Sequence, residues 1–93
     1  MHVSKFDAVN GVPDEAQIQA WTEGYFQNLL MVLNSFFVHV SVEEAVDRMV
    51  QVPFAQLVTE TLEGENEAVI KLAVEIVNDM AEVELEFMRA YLE

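Results

Sequence analysis

The chain contains no cysteine, so disulfide bonds and thiolate metal sites are excluded. This absence is typical of a reducing compartment, and we expect a cytoplasmic protein. The 93 residues are predicted to form one domain, residues 1–93, and a domain of this size buries only about two-thirds of its unfolded surface. Because no covalent cross-link compensates, we expect the chain to gain burial by forming a homo-oligomer, most simply a dimer.

Basic residues are also scarce, since four lysines and arginines stand against seventeen acids and the net charge is −13. Phosphate backbones and anionic membranes repel such a chain, so we expect neither as a direct partner. The acids are unevenly distributed: residues 1–42 carry a net charge of −3 and residues 43–93 carry −10. The second half therefore produces most of the electrostatic field.

Long apolar runs and glycine-rich loops are missing as well. The most apolar stretch, residues 29–38, is interrupted by Asn34 and Ser35 and is shorter than the roughly 20 apolar residues of a membrane span. The first twelve residues include charged and polar groups and lack the hydrophobic region of a secretory signal. Three scattered glycines cannot form a phosphate-binding loop.

Helical periodicity, by contrast, covers most of the chain, and it predicts an all-α fold built as a small helical bundle. An irregular arm, residues 1–12, precedes the bundle. The predicted helices are two long ones, at about 13–38 and 66–92, and two short ones, at about 42–51 and 53–63.

Local signals mark the helix ends. Pro13 suits the first turn of a helix, and Ser41 with Glu44 forms a capping-box pattern in which each residue bonds the backbone of the other. Pro53 disfavours helical geometry in the residue before it, so it predicts a break between two short helices. Asn66 is a candidate cap for the last helix.

Two local features allow more than one structure. The arm could be an irregular extended segment or a strand, docked through Val3, Phe6 and Val9. Gly24 interrupts the first long helix, where glycine costs up to about 1 kcal/mol relative to alanine. It indicates either a close helix crossing, a bend, or simply a weak position.

The last helix has two adjacent apolar seams. The first seam comprises Val69, Ala73, Ile76, Met80, Val83, Phe87 and Ala90. The second seam comprises Ile70, Val74, Val77, Ala81, Leu85, Met88 and Leu92. This surface is wider than a surface helix needs, so one seam can meet the same chain while the other meets a neighbour. The candidate subunit contact is Val69, Ile76, Met80, Val83, Phe87, Leu85 and Met88. Alternatively, both seams close within a monomer.

A polar strip runs along the same helix. Four of its acids, which we call the acidic row, lie about one turn apart on one solvent-facing edge: Glu75, Asp79, Glu82 and Glu86. Four further acids surround the preceding turn: Glu60, Glu63, Glu65 and Glu67. These eight residues are the candidate partner-binding face.

Catalytic patterns are missing from the sequence. Di-metal helical bundles need a Glu-x-x-His repeat, and neither His2 nor His39 follows a glutamate at that spacing. The serines, Ser4, Ser35 and Ser41, stand in no nucleophile motif. We therefore expect no enzyme, no cofactor and no metal ion.

One short stretch resembles a known family. "DMAEVEL", residues 79–85, is similar to the "DSL…VEL" stretch of acyl carrier proteins, which are small, acidic and helical. Met80 stands where that family has its modified serine, and the stretch lies at the other end of the chain. The resemblance therefore implies no carrier activity, only that an acidic helix can dock on basic enzyme surfaces.

Two functions fit these observations. The favoured one is a non-enzymatic inhibitor whose acids occupy the nucleic-acid-binding surface of a basic protein. Phage anti-restriction and anti-CRISPR proteins work in this way, and the chain resembles them in size and charge. The alternative is a homo-oligomeric assembly or adaptor subunit whose acids only confer solubility. The net charge of −13 exceeds the roughly 2 to 8 charges that solubility requires, which favours the first function.

Overall fold

The computed structural model describes residue 6, residues 8–9 and residues 12–92, and it confirms the all-α fold. The helices of this part of the chain are α1 (Glu15–Phe36), α2 (Val42–Val50), α3 (Phe54–Thr61) and α4 (Glu67–Ala90). Before them, β1 (Ala8–Val9) and β2 (Val12–Pro13) pair in antiparallel register. The predicted helices are correct in number and order, and their ends differ from the observed ones by at most two residues.

Helix α1 begins two residues later than predicted. The side chain of Asp14 accepts a hydrogen bond from the backbone N–H of Ala16 at 2.9 Å, which makes Asp14 the cap. Asp14 itself is extended, as is usual for a residue that satisfies the free N–H groups of the first turn. Pro13 therefore belongs to β2, and its predicted place inside the helix is wrong.

The caps of α2 and α4 follow the sequence signals. The Oγ atom of Ser41 accepts a hydrogen bond from the N–H of Glu44 at 3.1 Å, and Asn66 Oδ1 accepts one from Ala68 at 2.8 Å. Only half of the predicted capping box is observed. The Glu44 carboxylate instead accepts a 2.7 Å hydrogen bond from Arg48 one turn later.

The region between the long helices is divided as predicted. Helix α2 ends at Val50 and α3 begins at Phe54, directly after Pro53. The chain then turns into α4 through Gly64, whose φ of 92° lies in the left-handed region that glycine adopts without strain. Two short helices thus connect the two long ones.

Both long helices bury rows of residues that are four positions apart. In α1 the row is Ile18, Thr22, Phe26 and Leu30. In α4 it is Val69, Ala73, Val77 and Ala81. Four residues turn through about 400°, so each step moves the buried line about 40° around the helix. Ridges of this kind typically pack at interaxial angles near 50°, an arrangement in which helices separate toward their ends.

Aromatic contacts attach α3 and the arm to this core. The rings of Phe26 and Phe54 have centroids 5.3 Å apart, which joins α1 to α3. The buried Phe6 meets Trp21 edge to face at 6.0 Å. Docking of the arm through Phe6 is therefore confirmed, whereas Val3 lies outside the described residues.

Polar groups on α1 that face the protein are satisfied. The Thr22 side chain is fully buried, and its hydroxyl donates a hydrogen bond to the Ile18 carbonyl at 2.7 Å. The Tyr25 hydroxyl reaches α3, where it is 2.9 Å from the Thr61 hydroxyl and 3.3 Å from the Leu57 carbonyl. The Tyr25 contacts join α1 to α3, whereas the Thr22 bond lies within α1 and satisfies a hydroxyl that would cost free energy if buried unpaired.

Gly24 does not mark a close crossing. A Cβ atom at this position would meet no described neighbour within 4 Å, and the residue is exposed. The glycine is therefore not required for packing.

The molecule is elongated. Its radius of gyration is 15.2 Å and its principal extents are 48, 24 and 16 Å. A compact domain of this length has a radius of gyration of about 12 Å. The fold is thus a thin, long bundle, which exposes more surface than a sphere of equal mass.

Candidate protein-binding surface

The acidic row lies on the solvent-facing edge of α4, as its spacing predicts. All four of its carboxylate residues are exposed. From Glu75 to Glu86 the helix rises roughly 16 Å, so neighbouring charges are on average about 5.5 Å apart along the axis. The helix holds these charges in a nearly straight line.

The charges of the acidic row are not neutralised by the part of the chain that the structure describes. None of the four carboxylates has a salt bridge or a side-chain hydrogen bond there. Lys71 and Arg89, the two cations of α4, are also exposed, and neither forms an ion pair within the described ranges. The row therefore presents its negative charge to solvent.

The second group of predicted acids is only partly available. Glu60, Glu63 and Glu67 are exposed around the turn between α3 and α4. Glu65 is buried, and its backbone N–H donates to the Leu62 carbonyl at 3.0 Å. The prediction that Glu65 belongs to an accessible face is therefore wrong, because the turn after Gly64 directs this residue toward the protein.

The residues of the predicted subunit contact differ in burial: some pack in or against the core, and others are exposed. Val69 is 1% exposed and belongs to the core. Four other members of the predicted contact are half-buried and pack against the core of their own chain: Ile76, Met80, Leu85 and Met88. Val69 is thus corrected to a core residue, whereas the place of the four half-buried residues in a subunit contact stays a prediction. Val83 and Phe87 alone, among the seven, remain exposed.

The rotation of the buried line around α4 explains this division. The line begins on the first seam at Val69 and Ala73 and ends on the second seam at Val77 and Ala81. Three steps of about 40° carry it through about 120°. The end of the first seam therefore turns away from the core, although its apolar spacing continues.

We call the resulting apolar surface the exposed flank, and define it as Val83, Phe87 and Tyr91. These side chains are 59%, 66% and 75% exposed, respectively, and are four residues apart. Each step from Glu82 to Val83 and from Glu86 to Phe87 turns about 100° around the helix. The exposed flank and the acidic row are therefore neighbouring edges of α4.

A hollow lies where α1 approaches the exposed flank. Its volume is about 270 Å³, and its lining residues are Phe26, Gln27, Asp79, Met80, Val83 and Glu84. This volume is slightly below the roughly 300 to 1,000 Å³ typical of small-molecule pockets.

Glu84 was not among the predicted site residues. It is half-buried at the hollow. The predicted polar strip was selected by its spacing along the opposite edge of α4, so it did not include Glu84. A signal was available, since Glu84 is a single acid that stands between the two apolar seams. Its contact with α1 depends on how the helices pack and could not be read from the spacing alone.

Nothing in the described ranges indicates a metal site or a reaction that uses histidine. No group of three or more histidine, cysteine or acidic residues converges there as a metal site. His39 is exposed in the turn after α1, and His2 lies outside the described residues. The expectation that the chain is not an enzyme stays a prediction.

No protein-family model, curated protein or solved structure matches this chain. Among the described residues, no helix is both long enough and apolar enough to cross a bilayer.

Proposed function

We propose that this chain is a non-enzymatic, acidic protein-binding module that inhibits its target by occupying a basic, nucleic-acid-binding surface. Small phage proteins that block host defence enzymes have this mode of action. The observation that carries the proposal is the acidic row: four exposed carboxylates on one rigid edge, without ion pairs in the described part of the chain.

The geometry of the row supports mimicry of a nucleic-acid strand. Its charges recur about every 5.5 Å, within a factor of two of the 3.4 Å between phosphates along one DNA strand. A basic groove that binds phosphates would therefore meet several carboxylates at once. Association would be fast and sensitive to salt, because charge complementarity mainly raises the on-rate.

The excess of negative charge supports a functional role for the row. Carboxylates one turn apart repel each other by a few tenths of a kcal/mol per pair, and the net charge of −13 is larger than solubility requires. A binding role gives this destabilising arrangement a purpose. The cysteine-free composition favours the cytoplasm as the compartment of the encounter.

The test is affinity capture from an extract of the native host cells, followed by mass-spectrometric identification. The wild-type chain is expected to recover a basic, nucleic-acid-handling protein that salt or competing DNA releases. The variant Glu75→Lys with Glu82→Lys should lose this protein at least about tenfold, because two attractive charges become repulsive.

A matched control separates the acidic row from net charge. The variant Glu23→Lys with Asp47→Lys changes the net charge by the same amount at two exposed residues outside α4, and it should retain the partner. Equal loss in both variants, or no loss in the first, would contradict a role for the row. Circular dichroism should show unchanged helix content in both variants.

The alternative function is a homo-oligomeric assembly or adaptor subunit whose acids serve solubility. The exposed flank favours it, because contiguous apolar surface commonly marks a protein interface. Under this alternative, the charge substitutions leave all interactions unchanged, whereas an aspartate at Val83 or Phe87 dissociates the assembly.

A further inference from the structure

The hollow between α1 and α4 has an apolar centre and acidic edges. A helix turns about 100° per residue. The four residues of α4 that line the hollow therefore follow one another around the helix in this order: Asp79, Val83, Met80 and Glu84. The two apolar side chains lie between the two acids, which are about 7.5 Å apart along the helix axis. From α1, the buried ring of Phe26 adds a further apolar wall.

The two carboxylates of the hollow are unpaired in the part of the chain that the structure describes. Neither Asp79 nor Glu84 has a salt bridge or a side-chain hydrogen bond there. The remaining lining residue, Gln27, is exposed on α1, and its amide oxygen is a third hydrogen-bond acceptor. None of the described residues that line the hollow is basic. The hollow therefore combines apolar walls with negative charge that the chain itself does not neutralise.

This combination selects the chemistry of an occupant. A neutral apolar group would match the walls but leave the carboxylates without a partner, and an anion would be repelled. The side chains of lysine and arginine each carry an apolar stem with a cationic end, so a basic side chain matches both parts of the hollow. Arginine matches it better, because a guanidinium has five donors in a planar fork and is more weakly hydrated than an ammonium.

The position of the hollow indicates where such a side chain comes from. Asp79 belongs both to the acidic row and to the edge of the hollow. A basic protein surface that meets the row therefore also covers the mouth of the hollow. The hollow is continuous with the proposed interface, and its charge is complementary to the same partner.

We propose that the hollow binds an arginine side chain of the target protein. The aliphatic stem of the arginine lies against Met80 and Val83, and its guanidinium donates hydrogen bonds to the carboxylates at the two edges. This inference rests on the proposed function, because the arginine belongs to the basic surface that the acidic row would meet. It adds selectivity, since the row attracts any positive surface whereas the hollow distinguishes arginine from lysine.

Glu84 allows the hollow and the acidic row to be tested separately. It lies about 140° around α4 from Asp79, while the other three acids of the row lie within about 60° of Asp79 in the opposite direction. The substitution Glu84→Gln therefore changes the hollow and leaves the row intact.

The test measures binding of the full chain to labelled oligoarginine and oligolysine peptides of equal length by fluorescence anisotropy. The row should attract both peptides, because they carry the same charge. The wild type is expected to bind oligoarginine at least about fivefold more tightly, since a guanidinium can donate to both carboxylates of the hollow. Glu84→Gln should reduce this preference to less than about twofold. The matched control is Glu86→Gln, which removes one charge from the row and should weaken both peptides while keeping the preference.

A second variant tests the hollow without changing the net charge. Gln27→Trp places a bulky ring at the hollow from an exposed position and should reduce the preference for oligoarginine as Glu84→Gln does. Its control is Asn28→Trp, at an exposed neighbouring residue that does not line the hollow, and this variant should keep the preference. Circular dichroism should show the same helix content in all variants.

A preference for oligolysine in the wild type would overturn the inference, and so would an arginine preference that survives both Glu84→Gln and Gln27→Trp. Equal loss of the preference in Glu86→Gln would also overturn it. If these results appear while the charge substitutions at Glu75 and Glu82 still release the captured target, the inference fails and the proposed function stands. If the preference depends on the hollow but those substitutions release nothing, the arginine site stands and the proposed function fails.

Discussion

The two halves of α4 have nearly the same apolar spacing but different environments. In the first half, Val69 and Ala73 of the first seam are buried at the centre of the bundle. In the second half, Val83 and Phe87 occupy the same seam and face solvent. Periodicity therefore identifies the apolar side of a helix, while the crossing of neighbouring helices decides how far along that side burial extends.

The largest expected difference in stability is between two variants that each place one aspartate in a different half of α4. Val77→Asp puts an unpaired carboxylate at a fully buried position, which costs several kcal/mol and removes much of the roughly 5 to 15 kcal/mol that holds a domain together. Val83→Asp should keep the helical fold. Urea denaturation followed by circular dichroism measures both, and comparable destabilisation of the two variants would contradict the division of α4.

A larger side chain in each half of α4 should change the free energy of unfolding less than a charge does, but with the same difference between the halves. Ala73→Leu overfills a position with no exposed surface and should lower the free energy of unfolding by about 1 to 3 kcal/mol. Ala90→Leu, at an exposed position of the same helix, should change it by less than about 0.5 kcal/mol. Thermal unfolding of the two variants supplies the comparison, and a large loss at Ala90 would count against exposure of this end.

These contrasts show what the sequence could and could not predict. The helices were predictable because their signals are local: Ser41 and Asn66 cap the helices that follow them, and Pro53 separates α2 from α3. The exposed edge formed by the acidic row was equally predictable from its spacing. Each of these inferences needed only residues that lie within a few turns of one another.

Other features required the packing of the whole chain. Burial of Glu65 follows from the path of the turn after Gly64, and the place of Glu84 at the hollow follows from the approach of α1. The division of the first seam between Val69 and Val83 depends on the angle between helices. No pattern within α4 encodes that angle, so the predicted subunit contact included residues that the core already uses.

Hydrogen exchange can refine the comparison residue by residue. In the variant Val83→Asp with Phe87→Asp, which is designed to be monomeric, backbone amides of residues 73–81 should exchange at least about tenfold more slowly than those of residues 86–90. The first group opens only when the core does, while the second can fray. Equal protection would mean that the end of α4 is held as firmly as its beginning.

The smallest expected effect concerns the charges of the second half. Glu82→Gln removes repulsion between neighbouring carboxylates of the acidic row and should stabilise the fold by a few tenths of a kcal/mol at low salt. The gain should fade at high salt, where screening already reduces the repulsion. Chemical denaturation at two ionic strengths measures it, and a gain independent of salt would point to a cause other than charge.

The open space around Gly24 has a practical consequence for all such experiments. Since a methyl group there would touch no described neighbour, alanine could replace the glycine and return up to about 1 kcal/mol of helix stability. The natural chain thus tolerates a conformational entropy cost that its architecture does not demand. A variant carrying this replacement would be more stable. Substitutions that unfold the native sequence could then be studied in a protein that still folds.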